Sequence, residues 1–267
     1  MFKVKEQIYI KTAEEIHAIK QSGQILSMLH GELSKRIEAG VRTLDLDAFA
    51  EDYILSKGAK PSFKGYRSFP ATLCISVNAV VVHGIPNHYQ LKDGDIISID
   101  CGVYFNGFHA DSAYTYRVGA VSEEADKLMN KTYAALIKGM AKCTTGNRVG
   151  DISAEIQRYC ESFGYGIVRE LVGHGVGRNL HEAPEVPNFG KPGRGPKLME
   201  GMVIAIEPMV TMGKRVVRQE KDGWTIKTTD GKLAAHYEHT VAIINGKAEA
   251  LTTFDYIVES QQVTYNG

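Results

Sequence analysis

A short series of sequence patterns occurs twice along the 267 residues, once in each half of the chain. The stretch GVRTLDL that begins at Gly40 resembles GNRVGDI, which begins 106 residues later at Gly146. Farther on, 94–100 (GDIISID) resembles 201–207 (GMVIAIE), and 109–111 (HAD) resembles 236–238 (HYE), at offsets of 107 and 127 residues. Single matches of glycine and apolar residues arise by chance. Matches that recur in the same order predict an internal duplication, with about 20 extra residues in the second half.

Each half shows two helical patterns followed by strand-like segments. Helices are predicted over about 12–39, 44–57, 122–142 and 149–163. Thr12 and Glu15 have the spacing of a capping box, and Gly40, Gly58 and Gly164 are typical helix stops. Strands are predicted over 72–77, 79–82, 95–104, 108–117 and from about 166 onward. Helices outside a mostly antiparallel sheet predict an α+β fold, with pseudo-repeats of about 12–118 and 122–253 in one catalytic domain, 1–267.

The composition excludes several classes of partner. Lys plus Arg and Asp plus Glu number 31 each, so no net field attracts nucleic acid or an anionic membrane. No apolar run reaches the 18 residues typical of a transmembrane helix, and the charged N-terminal stretch lacks a signal-peptide core. Four scattered cysteines without a CxxC pair indicate free thiols in a reduced, cytoplasmic protein. Since no heptad pattern is present, we expect a monomer.

The segment 95–117 is predicted to form a hairpin that brings two carboxylates together. Asn106-Gly107 between alternating flanks is typical of a two-residue turn. That turn pairs residue 102 with 111 and residue 100 with 113. Asp100 and Asp111 are then diagonal neighbours on one face, roughly 7–8 Å apart. Because Gly102 is opposite Asp111, we expect open space between the carboxylates, which suits a cation.

The second half contains a corresponding pair of acids. Glu207 ends an apolar strand, and Glu238 precedes another. If the halves are related by a pseudo-two-fold axis, Asp100 faces Glu207 and Asp111 faces Glu238. Four carboxylates at one centre repel each other unless cations are present, and two divalent metal ions would resolve this.

A histidine among glycines supplies a further donor. His174 lies in GHGVG (173–177), where glycine lets the backbone approach a ligand closely. Mixed carboxylate and imidazole ligands suit Mn, Fe, Co or Zn. Taken singly, each of these residues is more often solvated, ion-paired or packed than metal-bound. The repeated pattern is what favours a metal site.

The chain resembles the type I methionine aminopeptidases of peptidase family M24, in their short bacterial form. The resemblance extends from about residue 10 to 253 and includes neither an N-terminal zinc-finger extension nor a long helical insertion. It depends on six motifs in the correct order: VVHGIP (81–86), SIDCGVYFNGFHAD (98–111), GHGVGRNLHEAP (173–184), IAIEPM (204–209), KDGWT (221–225) and YEHT (237–240). The resemblance implies the duplicated pita-bread fold and removal of the first methionine from nascent polypeptides, favoured when the second residue is small.

The resemblance also implies roles for individual residues. It implies two divalent metal ions held by Asp100, Asp111, His174, Glu207 and Glu238. Glu207 would be the general base, His181 would stabilise the oxyanion, and His83 would contact the nitrogen of the scissile amide. From composition alone, both histidines would more often be structural. The methionine pocket would be lined by Cys74, Tyr66, Phe69 and Trp224.

Three further features come from comparison with the family pattern. A monovalent cation site on backbone oxygens near Asn78, Val80 and Ala234 is implied by related enzymes. His236 replaces a residue that is often Gln, and we expect a structural role for it. Leu180 stands where some relatives have an aromatic residue, which predicts a wider pocket. The Pro- and Gly-rich loop 187–196 is longer than in many relatives and is expected at the surface, where it could alter contacts with the ribosome.

Two alternative functions remain open from the sequence. One is an Xaa-Pro aminopeptidase or prolidase of the same fold, although those relatives usually have a large N-terminal domain. The other is an inactive pita-bread module that binds peptides, although such modules have typically lost metal ligands, and all five positions are intact here.

Overall fold

The computed structural model describes residues 7–263, so the first six residues of the charged N-terminal segment lie outside the described residues. The helices within that range are α1 Ala13–Ser34, α2 Thr43–Ser56, α3 Glu123–Lys142 and α4 Val149–Glu161, with short 3-10 helices at Tyr66–Ser68 and Glu259–Gln261. All four predicted helices are therefore confirmed.

Fifteen strands are described in the same range. In chain order they are β1 Lys60–Pro61, β2 Leu73–Val77, β3 Val80–Val82, β4 Ile96–Phe105, β5 Phe108–Arg117, β6 Gly166–Ile167, β7 Gly173–Gly175, β8 Glu182–Val186, β9 Val203–Ile206, β10 Met209–Thr211, β11 Val217–Gln219, β12 Ile226–Thr228, β13 Ala234–His236, β14 Glu238–Ile244 and β15 Lys247–Ala250. The pairs formed between these strands are antiparallel. The predicted α+β class is therefore confirmed.

Helix α1 begins as predicted but ends early. Thr12 and Glu15 form both hydrogen bonds of a capping box at its N-terminus. The helix ends at Ser34, not near residue 39, because the chain tightens into a turn in which Arg36 N–H donates to Leu33 O. Ile37 is nevertheless buried in the core. The spacing of Ile37 from the residues of α1 therefore indicated a buried position and not a helical backbone.

The main sheet joins the two halves edge to edge. Its strand order is β1-β4-β5-β14-β9-β7-β8, with β2 also on β4 and β15 also on β14. The β4–β5 pair of the first half and the β14–β9 pair of the second half lie on opposite sides of the β5–β14 seam. This arrangement of strands is the pseudo-two-fold relation that the sequence predicts.

Side-chain hydroxyls reinforce that seam. The backbone register there has only two pairs, Glu238 with Ala113 and His239 with Ser112. Thr240 Oγ1 accepts from Asp111 N–H at 2.9 Å and donates to Asp111 O at 2.8 Å. Ser112 Oγ donates to Glu238 O at 2.9 Å. The two carboxylate-bearing strands are therefore fixed to each other at the residues that carry the acids.

The β4–β5 hairpin has the predicted register. Residues 102 and 111 are partners, as are 100 and 113. Asn106 and Gly107 both have left-handed φ angles, 49° and 87°, which is the conformation that a tight hairpin turn requires. The turn residues therefore determine which carboxylates become neighbours.

One continuous hydrophobic core includes residues from all four helices and from the central strands. Helix α1 lies on β4 and β5. The helix approaches the segment after β15 so closely that a Cβ on Gly23 would lie 2.2 Å from Leu251 O. The four cysteines are buried and unpaired with each other. Within residues 7–263, no helix combines the length and the apolar character needed to cross a membrane.

We predict that Gly23→Ala lowers the free energy of unfolding by about 1–3 kcal/mol, as overpacking typically does. The added methyl group would force α1 away from the backbone of Leu251. Urea unfolding measures the change. The control is Gln24→Ala on the exposed face of the same helix, which should shift the midpoint little. Equal midpoints for the two variants would contradict the close packing.

Candidate metal centre and adjoining pocket

Four carboxylates and one imidazole converge where the halves meet. Asp100 lies on β4, Asp111 on β5 and Glu238 at the start of β14, while Glu207 directly follows β9. His174 lies in the middle of β7, which pairs with β9. The structure therefore brings together all five residues that were predicted as metal ligands.

The imidazole of His174 is oriented towards the acids. Its Nδ1 lies 2.9 Å from Gly175 O, so Nδ1 carries the proton and donates that hydrogen bond. Nε2 then presents a lone pair, and it lies 3.8 Å from Asp111 Oδ2 and 3.8 Å from Glu207 Oε1. Burial lowers the His174 pKa to about 4. A neutral ring anchored through one nitrogen is the usual arrangement of a metal-binding histidine.

Burial and mutual repulsion make the carboxylates difficult to ionise together. Burial raises the pKa of Asp111 to about 7. Burial, with repulsion from Asp111 and other acids of the centre, raises the pKa values of Asp100, Glu207 and Glu238 well above their ordinary range. Like charges at a shared buried site raise pKa values in this way. A divalent cation would remove that penalty.

Unsatisfied oxygen atoms fit the same conclusion. Asp100 Oδ1 and Glu238 Oε1 are buried without a hydrogen-bond partner within the described residues. Ligand atoms of Asp111, His174 and Glu238 lie within 4.8 Å of one another, as do those of Glu207, His236 and Glu238. Hard oxygen donors with one or two imidazoles suit a first-row divalent metal. The residues present therefore fit the divalent metal that the sequence implies.

The expected open space beside Gly102 is absent. A Cβ at this position would lie 2.7 Å from Ser62 Cβ and 2.9 Å from Phe63 Cε1. The segment that follows β1 fills this space, and Ser62 Oγ is hydrogen-bonded to His109 Nδ1 at 2.8 Å. That prediction was wrong because the pairing of β1 with β4 cannot be read from the hairpin alone.

A pocket of about 140 Å³ is lined both by the acids and by a group of aromatic and aliphatic side chains. Its lining includes the four predicted wall residues, Cys74, Tyr66, Phe69 and Trp224, and also Leu180, which was expected to affect its width. Phe63 and Arg67 line it too, and the sequence did not place them there. Leu180 is buried among the aromatic residues.

Both predicted catalytic histidines border this pocket. His181 Nδ1 lies 2.9 Å from the Tyr66 hydroxyl, and its ring centroid lies 4.2 Å from that of His174. His83 has a left-handed φ of 58° and meets Trp224 edge to face at 6.3 Å. Such a backbone conformation is uncommon outside glycine and is frequent at functional sites. The histidines therefore lie between the acids and the pocket walls.

Comparison with known proteins agrees with this geometry. The metallopeptidase family M24 matches residues 17–245. The methionine aminopeptidase of Clostridium perfringens is 55% identical over 92% of this chain and 98% of its own length. Methionine aminopeptidase 1 of Bacillus subtilis is 49% identical over 92% of this chain and 99% of its own length. The chain belongs to the metallopeptidase family M24. Its predicted resemblance to the short bacterial methionine aminopeptidases is confirmed.

Solved structures show the fold. The methionine aminopeptidase of Thermotoga maritima has a TM-score of 0.91 and 42% identity, and the match covers 92% of this chain and all of that one. The prolidase of Pyrococcus furiosus has a TM-score of 0.76 and 24% identity, over 91% of this chain and 65% of that one. The prolidase likeness shows the fold alone. Together they confirm the pita-bread fold in this M24 member.

Two residues at the centre have more contact with it than the sequence suggests. His236, for which we expected a structural role, has its Nε2 3.5 Å from Glu207 Oε2. Asn188 is fully buried and donates from Nδ2 to Glu207 O at 2.9 Å. The loop 187–196 is at the surface as predicted from residue 190 onward, but its first residues reach this M24 centre. The sequence contains one indication of these contacts: His236 stands two residues before Glu238, on the same face of an extended chain.

The implied monovalent cation site stays a prediction. Asn78 has a left-handed φ of 53°, and its carbonyl oxygen accepts from Ala234 N–H at 2.9 Å. Val80 begins β3 close by. The three residues are neighbours, but one of the three carbonyls already has a backbone donor.

A buried ion pair supports the segment that carries His181. Lys11 Nζ lies 2.5 Å from Glu182 Oε2, with the two side chains only 4% and 3% exposed. Glu182 Oε1 also accepts from Asn179 N–H at 3.1 Å. A Cβ on Gly177 would meet both side chains of the pair at 2.7 Å. The N-terminal segment therefore holds the loop that leads into His181.

We predict that Asp111→Asn stabilises the metal-free protein near pH 7 but destabilises the protein that has bound metal. Without metal, the folded protein binds more protons than the unfolded protein between the ordinary Asp pKa of 3.8 and the folded value of about 7. Stability due to Asp111 therefore falls as pH rises through that interval. In chelated protein, Asp111→Asn should gain stability relative to wild type as pH rises from about 4 to 7.

With Mn²⁺ in excess, wild type should be the more stable of the two proteins, since the variant lacks a charged ligand for the metal. Thermal unfolding across this pH range, with chelator or with Mn²⁺, measures both effects. A wild-type protein that stays more stable than Asp111→Asn at pH 7 in chelator would contradict the repulsion argument.

We predict that Lys11→Met costs about 3–5 kcal/mol of stability, because it leaves Glu182 buried without a partner. The double variant Lys11→Met with Glu182→Leu should recover most of that loss, since an apolar pair replaces the charges. Chemical denaturation gives the values. The control is Lys20→Met, whose partner Glu249 is exposed, and which should change stability by about 0–1 kcal/mol. A loss no larger than that of the control would show that the buried pair contributes little.

Proposed function

We propose that this chain removes the N-terminal methionine from nascent polypeptides by hydrolysing their first peptide bond, with preference for a small second residue. The observation that carries the proposal is the pocket of about 140 Å³ whose lining combines aromatic and aliphatic side chains with the buried acids. A thioether side chain in that pocket would place its own backbone beside the acids. Identity of 55% to a methionine aminopeptidase over 92% of the chain supports this choice of substrate.

We infer that the centre holds two divalent ions, Co, Mn, Fe or Zn, on Asp100, Asp111, His174, Glu207 and Glu238. Support comes from the number of buried acids, since four carboxylates would leave one ion with excess negative charge. Ions of this class lower the pKa of a water and polarise a carbonyl group. The carboxylates are arranged in two strand pairs about the seam, while His174 has no counterpart ligand in the first half.

Glu207 is proposed as the general base. Its carboxylate lines the same pocket as the methionine walls, where it would be within reach of a water that attacks the bound substrate. Its backbone carbonyl is fixed by Asn188. The carboxylate would accept a proton from the attacking water and pass it towards the leaving amine.

The two histidines are proposed to contact the scissile amide. The Tyr66 hydroxyl fixes His181 through Nδ1, which leaves Nε2 to meet the carbonyl oxygen as it gains negative charge. His83 would contact the amide nitrogen from the Trp224 side of the pocket. Burial lowers the pKa values of both rings, that of His181 to about 3. Each is therefore neutral near pH 7 and acts by hydrogen bonding.

The pocket supplies selectivity for methionine. Phe69 and Trp224 meet edge to face at 5.1 Å, and Cys74 lies at 5% exposure beside them. Burial raises the pKa of the Cys74 thiol well above its ordinary value, so the wall stays uncharged. Aromatic and sulfur contacts favour a thioether.

The finer cellular setting belongs to the same proposal. A single catalytic domain that acts as a monomer in the cytoplasm, on chains emerging from the ribosome, fits the free thiols and the balanced charge. A monovalent cation near Asn78, Val80 and Ala234 would brace the strands beside His236.

Two assays test the proposal against its alternatives. Purified protein with Mn²⁺ should release methionine from Met-Gly-Met-Met and leave Xaa-Pro dipeptides intact. Preference for Xaa-Pro would favour a prolidase-like activity. No hydrolysis of either, with metal bound, would favour a peptide-binding module.

The proposed base is tested by one conservative substitution. Glu207→Gln should lower kcat by at least about 100-fold, in the range that loss of general-base catalysis typically costs. The matched control is Glu124→Gln, the same exchange at an exposed position of helix α3. A Glu207→Gln variant with wild-type kcat would remove Glu207 from that role.

A further inference from the structure

His236 is a buried histidine whose ring lacks a hydrogen-bond partner. It is 1% exposed, and within residues 7–263 neither ring nitrogen has a partner. Two other buried histidines are satisfied: His30 by the Tyr116 hydroxyl at 2.8 Å, and His239 by the Thr252 hydroxyl at 2.8 Å. Buried polar groups in native proteins usually have partners. The ring of His236 therefore requires an explanation other than packing.

The backbone of His236 is fixed tightly. Thr115 Oγ1 donates to His236 O at 2.8 Å and accepts from His236 N–H at 3.0 Å. The next residue, Tyr237, is in the core and donates from its hydroxyl to Thr115 O at 3.0 Å. Because side chains alternate along extended chain, His236 and Glu238 face the metal centre. The orientation of the imidazole is therefore set by the fold.

The imidazole meets one particular oxygen of Glu207. Nε2 of His236 is 3.5 Å from Glu207 Oε2, while Nε2 of His174 is 3.8 Å from Glu207 Oε1. Each carboxylate oxygen thus has its own imidazole. In the described part of the chain, Asn188 is hydrogen-bonded to Glu207 only through the backbone carbonyl. That bond leaves rotation of the carboxylate free.

The ring of His236 can supply one hydrogen to this contact. A neutral imidazole has one N–H. At 3.5 Å the contact is a few tenths of an ångström longer than an ordinary N–H···O bond. A small rotation of either side chain would close it.

We propose that His236 is a positioning residue, whose Nε2–H donates to Glu207 Oε2 and fixes the rotation of that carboxylate. Glu207 then presents Oε1 towards His174 in one orientation. The consequence for catalysis rests on the proposed role of Glu207, whereas the contact itself does not. Groups that orient metal-binding carboxylates commonly matter nearly as much as the ligands.

The test compares a variant that keeps an N–H donor with one that lacks it. His236→Gln retains a side-chain amide, and His236→Leu retains bulk only. In full-length protein, His236→Leu should lower kcat on Met-Gly-Met-Met about 10–100-fold, with KM changed less than about 3-fold. It should also weaken Mn²⁺ binding about tenfold by calorimetry. His236→Gln should stay within about 5-fold of wild type in kcat and in Mn²⁺ affinity.

A matched control separates positioning from loss of a buried ring. His30→Leu removes a buried histidine whose ring nitrogens lie at hydrogen-bond distance from the Tyr116 hydroxyl and Ser112 O, not from Glu207, and it should cost stability but not Mn²⁺ affinity. If His236→Leu does not fold, His236→Met gives the same comparison, because its flexible chain adapts to irregular space. Equal impairment of the Gln and Leu variants would overturn the proposal, since it would indicate direct metal ligation by His236. So would wild-type behaviour of His236→Leu.

A double-mutant cycle on metal affinity isolates the contact from the proposed activity. In a Glu207→Ala background, His236→Leu should change the Mn²⁺ dissociation constant by less than about 2-fold. If the effects of the two substitutions on the Mn²⁺ binding free energy were fully additive, the proposal would be overturned. If wild-type protein released no methionine, the proposed function would fail, and this calorimetric cycle would still decide the contact.

Discussion

Four carboxylates buried at the seam between two halves are the constraint on which this structure depends. Taking an ion out of water costs several kcal/mol even after relaxation, so such a cluster persists only where the surrounding structure is stable without it. The antiparallel β4–β5 and β14–β9 pairs provide that support, and their hydrophobic faces pack on helices from both halves. The sheet supplies the stability, and the acids supply the chemistry.

The seam itself shows how a duplicated fold can build one site. Only two backbone pairs join β5 to β14, and the hydroxyls of Ser112, Thr115 and Thr240 add further links between β5 and residues 236–240. Each hydroxyl contacts a residue that bears a site side chain or lies beside one. Side-chain hydrogen bonds therefore supplement a short backbone ladder beside the acids.

The site departs from two-fold symmetry where function requires it. His174 gives one side of the centre a nitrogen donor, and His236 gives Glu207 a second imidazole neighbour. The pocket of Phe69, Cys74 and Trp224 draws on both halves of the chain. Duplication thus explains the acids, while the walls of the pocket come from segments that the two halves do not share.

The sequence by itself determined the α+β class, the four helices, the hairpin register and the convergence of the five residues predicted as metal ligands. These follow from local rules: capping at Thr12, the turn at Asn106-Gly107, and acids recurring at similar offsets in each half. It missed the end of α1, the filled space at Gly102, and the contacts of His236 and Asn188 with Glu207. Only the tertiary structure decided those, because each depends on segments distant in the chain. Periodicity records which residues are buried, but not which distant residues lie against them.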